Sequence, residues 1–336
     1  MSIDFTKNRV LATITYVVFL SSVVLSCYFT VYEPTLPRST PLTMQVDSLV
    51  SSNKVVATLI VLLLVFVNSL LVTRICIKNV IFLERSYMPS LIYVIFSVGY
   101  FSSVLSVRPL LVALLIILAC RKIFQTFGTK SLESGNYLEI GALFGISSIL
   151  YEQAIFLFPL LIIALILFRF FNIREWLAAI FGFVFPIFLA AYVSWFLGGS
   201  FIGFFVNLID IATSATPNAI VISHINPAEW SFIIVSFLIE ILAVVKFYYN
   251  KKGKRGKLLP QKSFIFFVCF LIISNLILFV VPSQSLHFLP FTAIPIAVII
   301  PYFFNASKAN FVSNILYISL IIIVWFIGFS HIAANF

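Results

Sequence analysis

The residues able to do chemistry gather in a few polar islands of an otherwise apolar chain. The first is YEPTLPRSTPLTMQVD, residues 32–47. It carries Glu33 and Asp47, each suited to act as a general base or a metal ligand, and Arg38, whose guanidinium can grip a phosphate through two parallel hydrogen bonds. Pro34, Pro37 and Pro41 keep the stretch from becoming helical, and the same composition also suits a plain solvated hairpin. His287, in SQSLHFLPF, opens an apolar segment directly after a polar turn, where it can hold a phosphate ester or sit as an interfacial ring.

Three further charged residues interrupt apolar runs. Arg108 stands between two of them, Glu152 lies between two others in SSILYEQAIFLFP, and Glu240 falls inside one. An acid at membrane depth is a functional candidate because an unpartnered one is costly to bury. Glu240 is only about 9 Å of helix rise from Lys246, so protonation or a partner on that side explains it simply. Glu152 is therefore the stronger candidate. The chain has no phosphate-binding G-x-x-x-x-G-K-[ST] loop, no G-x-G-x-x-G, no H-E-x-x-H, no G-x-S-x-G and no C-x-x-C. ATP hydrolysis, nicotinamide redox chemistry and zinc proteolysis are poor fits, and neither a cofactor nor a metal centre is expected.

The elements that must position these groups follow from composition. Hydrophobic residues make up 62% of the 336 and charged residues 10%, with 39 Phe and a mean hydropathy of +1.15. Soluble domains run near 45 to 50% apolar and about 25% charged, so no water-soluble fold hides this much apolar side chain. The reading is all-α: a polytopic transmembrane bundle forming one integral membrane domain, residues 1–336.

Crossing about 30 Å of hydrocarbon takes roughly 20 residues. Apolar segments fall at about 10–30, 54–73, 88–105, 109–120, 138–152, 155–170, 176–197, 229–247, 263–281, 287–304 and 312–333, giving about eleven helices. The short members around Arg108 and Glu152 are candidates for re-entrant or broken helices. With the N-terminus cytoplasmic and the C-terminus outside, eighteen of the 21 Lys and Arg fall in cytoplasmic segments, leaving Arg38, Lys54 and Arg108 on the other face. Glu33, Asp47, Glu152, Asp210, Glu229 and all three histidines then lie outside or at the outer edge. Glu139 and Glu175 sit on the inner side, near helix starts where the dipole favours an acid. Any active site opens outward.

This topology assigns the remaining features. KFYYNKKGKRGKLLPQK, within 246–262, becomes a basic cytoplasmic loop that anchors topology or grips anionic lipids or a protein partner. The outer loops are 31–53 and 198–228, the second reading as an interfacial amphipathic helix at about 202–212 followed by a turn at TPN. NAS at 305–307 falls on the inner side and is not a glycosylation site. Cys27, Cys76, Cys120 and Cys269 stand singly, without metal-ligand spacing, and are read as buried unreactive thiols. The basic start and VVLSC suggest a lipoprotein signal, but Leu25 is large and the apolar run long for cleavage.

The segment YLEIGALFGISSILYEQAIFLFPLLIIALILFRFFNIREWLAAIFGFVFPIFLAAYVSWFLGG, with Arg174, Glu175, Trp176, Gly182 and Pro186, resembles the centre of an uncharacterised domain-of-unknown-function family of bacterial inner-membrane proteins. HFLPFTAIPIAVIIPYFF is similar to a later helix of that family. The resemblance implies a multi-pass protein of the bacterial inner membrane and supplies no activity. In topology the chain also resembles the GT-C class of polyprenyl-phosphate-sugar glycosyltransferases, which begin with an N-in helix and an outer loop bearing a catalytic acid. That resemblance implies Asp47 or Glu33 as base toward an acceptor hydroxyl, and Arg38, Arg108 and His287 holding the donor phosphate; Glu152, as an acid at membrane depth, is a further substrate-binding candidate on its own account. The paired acid motif common in that class is absent here. The expected function is thus a GT-C-like transferase or binder of polyprenyl-phosphate-linked sugars. Its rivals are a noncatalytic membrane subunit of an envelope-assembly complex, docked through the basic loop, and a transporter. Membrane lipids are expected partners and nucleic acid is not.

Overall fold

The computed structural model describes residues 13–21, 54–81, 86–97, 107–129, 134–168, 172–213, 227–253, 258–280, 288–306 and 311–334. Among them every regular element is helical: α1 (13–21), α2 (Lys54–Lys78), α3 (Met88–Ser97), α4 (Val107–Thr129), α5 (Ser134–Leu150), a 3-10 helix (Glu152–Leu157) and α6 (Phe158–Leu167). Then follow α7 (Ile173–Phe196), α8 (Phe201–Thr213), α9 (Pro227–Gly253), α10 (Leu258–Val280), α11 (Leu289–Ala306) and α12 (Phe311–Ala334). Within α2, α4, α7, α9 and α10 lie five helices long and apolar enough to cross a membrane. By that measure the chain is a membrane protein.

The segment expected at 109–120 is a longer helix, Val107–Thr129. The apolar run ends at Cys120, but Arg121, Lys122 and Gln125 are good helix formers with stems that lie along apolar neighbours, so the helix continues through them. α5 stops at Leu150. Ser147 and Ser148 donate their hydroxyls back to the carbonyls of Leu143 and Phe144, a bond that loosens a helix, and Tyr151 then turns to extended backbone. Pro159 in the first turn of α6 costs no backbone hydrogen bond there. α7 closes at Gly198, whose positive φ of 94° suits a residue without Cβ, and the Ser200 hydroxyl accepts from the Gly203 N–H to start α8.

At the centre of the bundle all ten residues of α3 are buried, as is α11 from Pro290 to Pro301. These two pack on each other, with α2, α4, α9 and α10 around them. The N-terminal helix joins the same body, since the Tyr16 hydroxyl meets Ser69 Oγ at 2.8 Å and Phe19 packs edge-on to Trp325 of α12.

One end of the bundle gathers cations. Lys122 pairs with Glu139 at 2.5 Å, joining the last third of α4 to the start of α5. Lys262 at the head of α10 lies 4.7 Å from the centroid of the Phe127 ring, and Lys246 toward the end of α9 lies 4.9 Å from that of Phe303. Beneath them Phe124 packs against Phe168, Phe266 and Phe267, tying α4 to α6 and α10. Phe247 stacks on Phe264 at 4.1 Å. Such ring pairs add about 0.5 to 1.5 kcal/mol each beyond buried area.

The tightest helix pair is α5 with α7. A Cβ added to Gly141 would come under 3.0 Å from the Ala179 carbonyl oxygen, one on Gly145 would meet that of Phe183, and one on Gly182 would meet that of Leu138. Contacts therefore advance in the same direction along both helices, so the two run parallel, backbone against backbone, as a G-x-x-x-G spacing permits. Gly141→Ala, Gly145→Ala and Gly182→Ala should each lower stability by about 1 to 3 kcal/mol through forced separation. Gly135→Ala, with nothing within 4 Å, should be neutral or stabilising. Thermal unfolding in one detergent distinguishes the two groups, and equal midpoints would contradict the close crossing.

Candidate functional site

The end of the bundle away from the cations holds the candidate site. α4 and α5 form an antiparallel hairpin whose register is fixed by the Lys122–Glu139 pair. Arg108 is fourteen residues before Lys122, about 21 Å of helix rise, and Glu152 is thirteen residues after Glu139, about 20 Å. The arginine and the acid thus stand at the same level. Both are buried, at 2% and 3% exposure. Ions removed from water need opposite charge and hydrogen-bond partners, or the cost of burial is several kcal/mol each. Arg108 lies in the first turn of α4 rather than in a connecting loop, and Glu152 opens the 3-10 helix.

Neighbouring polar groups extend this level. The Asn68 side chain of α2 donates to the Leu110 carbonyl at 2.9 Å, two residues from Arg108, and the Tyr93 hydroxyl of α3 faces Asn68. Tyr151 donates to Gln153 Oε1, and its ring stacks on Phe291 at 5.6 Å. Phe291 in turn packs on Phe288 at 4.9 Å, so the start of α11 closes one side. α8 covers the 3-10 helix and turns Phe204, Leu208 and Ala212 inward at four-residue spacing. Ile202, Val206, Ile209 and Asp210 point outward from it. Buried polar groups thus stand on α2, α3, α4 and the 3-10 helix with the start of α11 alongside, a composition fit to hold an anion or to orient a buried carboxylate.

Of the six residues singled out by sequence, Arg108 and Glu152 are both buried and stand at one level. Glu33, Arg38, Asp47 and His287 lie outside the described residues, as do His224, Cys27 and the whole loop 31–53. Glu240 is buried at 5% in α9, while Lys246 is engaged with the Phe303 ring. Cys76 and Cys120 are buried free thiols, and Cys269 is partly exposed. Tyr151, Gln153, Asn68 and Tyr93 escaped sequence reasoning. The contiguous polar triplet YEQ between two apolar runs was the available signal for the first two; Asn68 and Tyr93 had none stronger than polarity inside an apolar segment.

At the opposite end Glu175 is buried in the first turn of α7. It accepts from Asn172 Nδ2 at 3.0 Å and from the Tyr137 hydroxyl of α5, so the R-E-W start of α7 ties the first turn to the residue before it and to the parallel partner helix. Arg174 beside it is exposed.

Residues 42–336 match the family described as "Family of unknown function (DUF6427)", and the chain belongs to it. No curated protein and no solved structure matches the chain.

Arg108→Gln and Glu152→Gln should each destabilise the protein by about 3 to 5 kcal/mol, since each leaves the opposite charge buried alone. The double variant should recover part of that loss. A double-mutant cycle of unfolding midpoints measures the coupling, and strict additivity would show that the two charges do not interact.

Proposed function

We propose that this member of the DUF6427 family is a multi-pass protein of the bacterial inner membrane that holds a polyprenyl-phosphate-linked sugar at the outer end of its bundle, as a GT-C-like transferase or binder. In this reading residues 1–336 form one membrane domain of eleven spans, with the N-terminus cytoplasmic and the C-terminus outside. The cations at one end of the bundle support the orientation, because Lys78, Arg121, Lys122, Lys246 and Lys262 all fall where the topology expects the cytoplasm.

The observation that carries the site is the common level of Arg108 and Glu152, both buried at the opposite end. α11 starts with Leu289, and its Phe291 ring stacks on Tyr151 beside Glu152. In the transferase reading Arg38, Arg108 and His287 hold the donor phosphate, and Glu152 orients the Arg108 guanidinium. Asp47 or Glu33 takes the proton of an acceptor hydroxyl as its oxygen bonds to the sugar carbon. The bond from that carbon to the polyprenyl phosphate breaks, and the electron pair leaves with the phosphate.

Complementation of a deletion strain by Asp47→Asn, Glu33→Gln and Arg38→Ala, with membrane abundance followed in parallel, tests this. Expected is loss of function at normal abundance in at least one acid variant and in Arg38→Ala. Wild-type protein extracted in mild detergent should also carry a lipid-linked sugar detectable by mass spectrometry. Full activity in all three variants overturns the transferase. The alternative is then a noncatalytic subunit of an envelope-assembly complex, with residues 246–262 as its docking surface.

A further inference from the structure

At the cationic end, two charges from adjacent helices converge on one neutral group. With its amide turned so that the oxygen faces them, Gln125 of α4 accepts from Lys78 Nζ of α2 and from Arg121 Nε, both at 3.2 Å. The two cations are therefore no more than twice 3.2 Å apart. Among the described residues the carboxylates of this end are engaged elsewhere: Glu139 with Lys122, and Glu175 with Asn172 and Tyr137. Like charges held this close by a neutral bridge repel each other until an anion sits between them.

The face of α2 leading to this pair is shaped for a lipid. Leu59, Leu63, Phe66 and Leu70 are exposed at three- and four-residue spacing, and the exposed face continues into Arg74 and Lys78. From Leu63 to Lys78 is fifteen residues, about 22 Å of rise, which matches half of a bilayer's hydrocarbon core together with its headgroup layer. An apolar track of that length ending in clustered cations between helices is complementary to an anionic phospholipid. The α1 helix leaves this face open, since it packs through Ser69, a buried position of α2.

We infer that Lys78 and Arg121, bridged by Gln125, bind the phosphate of one anionic phospholipid whose acyl chains lie along Leu63, Phe66 and Leu70, with Arg74 as a further contact to the headgroup. The site is separate from the polar layer at Arg108 and does not depend on the transferase reading. Lys78 is exposed and Arg121 partly so, which leaves the phosphate reachable from the bilayer interface.

Native mass spectrometry of the full-length protein, offered phosphatidylglycerol and phosphatidylcholine of identical chains, tests the assignment. Wild type should retain phosphatidylglycerol about tenfold or more over phosphatidylcholine. Lys78→Gln/Arg121→Gln should lose that preference, while Lys78→Arg/Arg121→Lys keeps it. Lys251→Gln/Lys252→Gln in the basic loop should leave it unchanged. Should the double neutralisation fail to fold, the single exposed change Lys78→Gln still has to lower the preference severalfold. Preference unchanged in the neutralised variants, or lost only with Lys251 and Lys252, overturns the site. Displacement of the lipid by inorganic phosphate would assign the same cations to a free anion and overturn the lipid reading.

Discussion

The parallel contact between α5 and α7 decides what the intervening chain must do. Apolar side chains gain nothing by leaving lipid for one another, so helices in a bilayer associate through close packing. Glycines 141, 145 and 182 let these two backbones touch carbonyl to Cα. Two parallel helices in sequence need a return segment between them, and the 3-10 helix with α6 supplies it. The turn at Tyr151 is therefore fixed at the end of the bundle opposite Glu139, and Glu152 is carried there. Broadening that contact by one methyl group would shift the return segment and with it the level of Glu152 against Arg108.

Burial of the polar layer follows from the same scarcity of water. α3 and α11 are enclosed by other helices, so a polar group on their surroundings is drawn toward other polar groups or backbone carbonyls. Asn68 bonding to Leu110 and Tyr93 facing Asn68 show this directly. The charged pair at one level is the extreme case. Two opposite charges buried at one level are costly to leave in any other arrangement, which favours a single packing around them.

Much of the architecture was legible because hydrophobic length and helix punctuation are local. The helix expected at about 202–212 is Phe201–Thr213, and GGS before it forms the glycine stop and serine start. The R-E-W signal marked a true helix start, since Asn172 and Glu175 lie within one turn of each other. The span 109–120 was read short because charged residues end a hydropathy run without ending a helix. The level shared by Arg108 and Glu152 was not legible at all. It depends on the register of α4 against α5, set by one ion pair between residues seventeen apart, and hydropathy carries no register. Glycine contacts between α5 and α7 were hidden for the same reason: G-x-x-x-G announces a close crossing but not its partner.

The two ends of the bundle treat charge in opposite ways, and this asymmetry bears on function. At the basic end Lys78, Arg174 and Arg74 are exposed, and Lys246 and Lys262 lie over aromatic rings, an arrangement that tolerates water and anionic headgroups alike. At the other end Arg108 and Glu152 are withdrawn from solvent beneath α8 and the start of α11. Exposed cations serve orientation and lipid contact at little cost to folding. A buried pair must be stabilised by everything packed around it, and a chain retains such a feature more readily when the enclosed charge meets a ligand than when it merely fills a core that leucine would fill better. The physical case for a site therefore rests on the end of the bundle with fewer charges, not on the end with more.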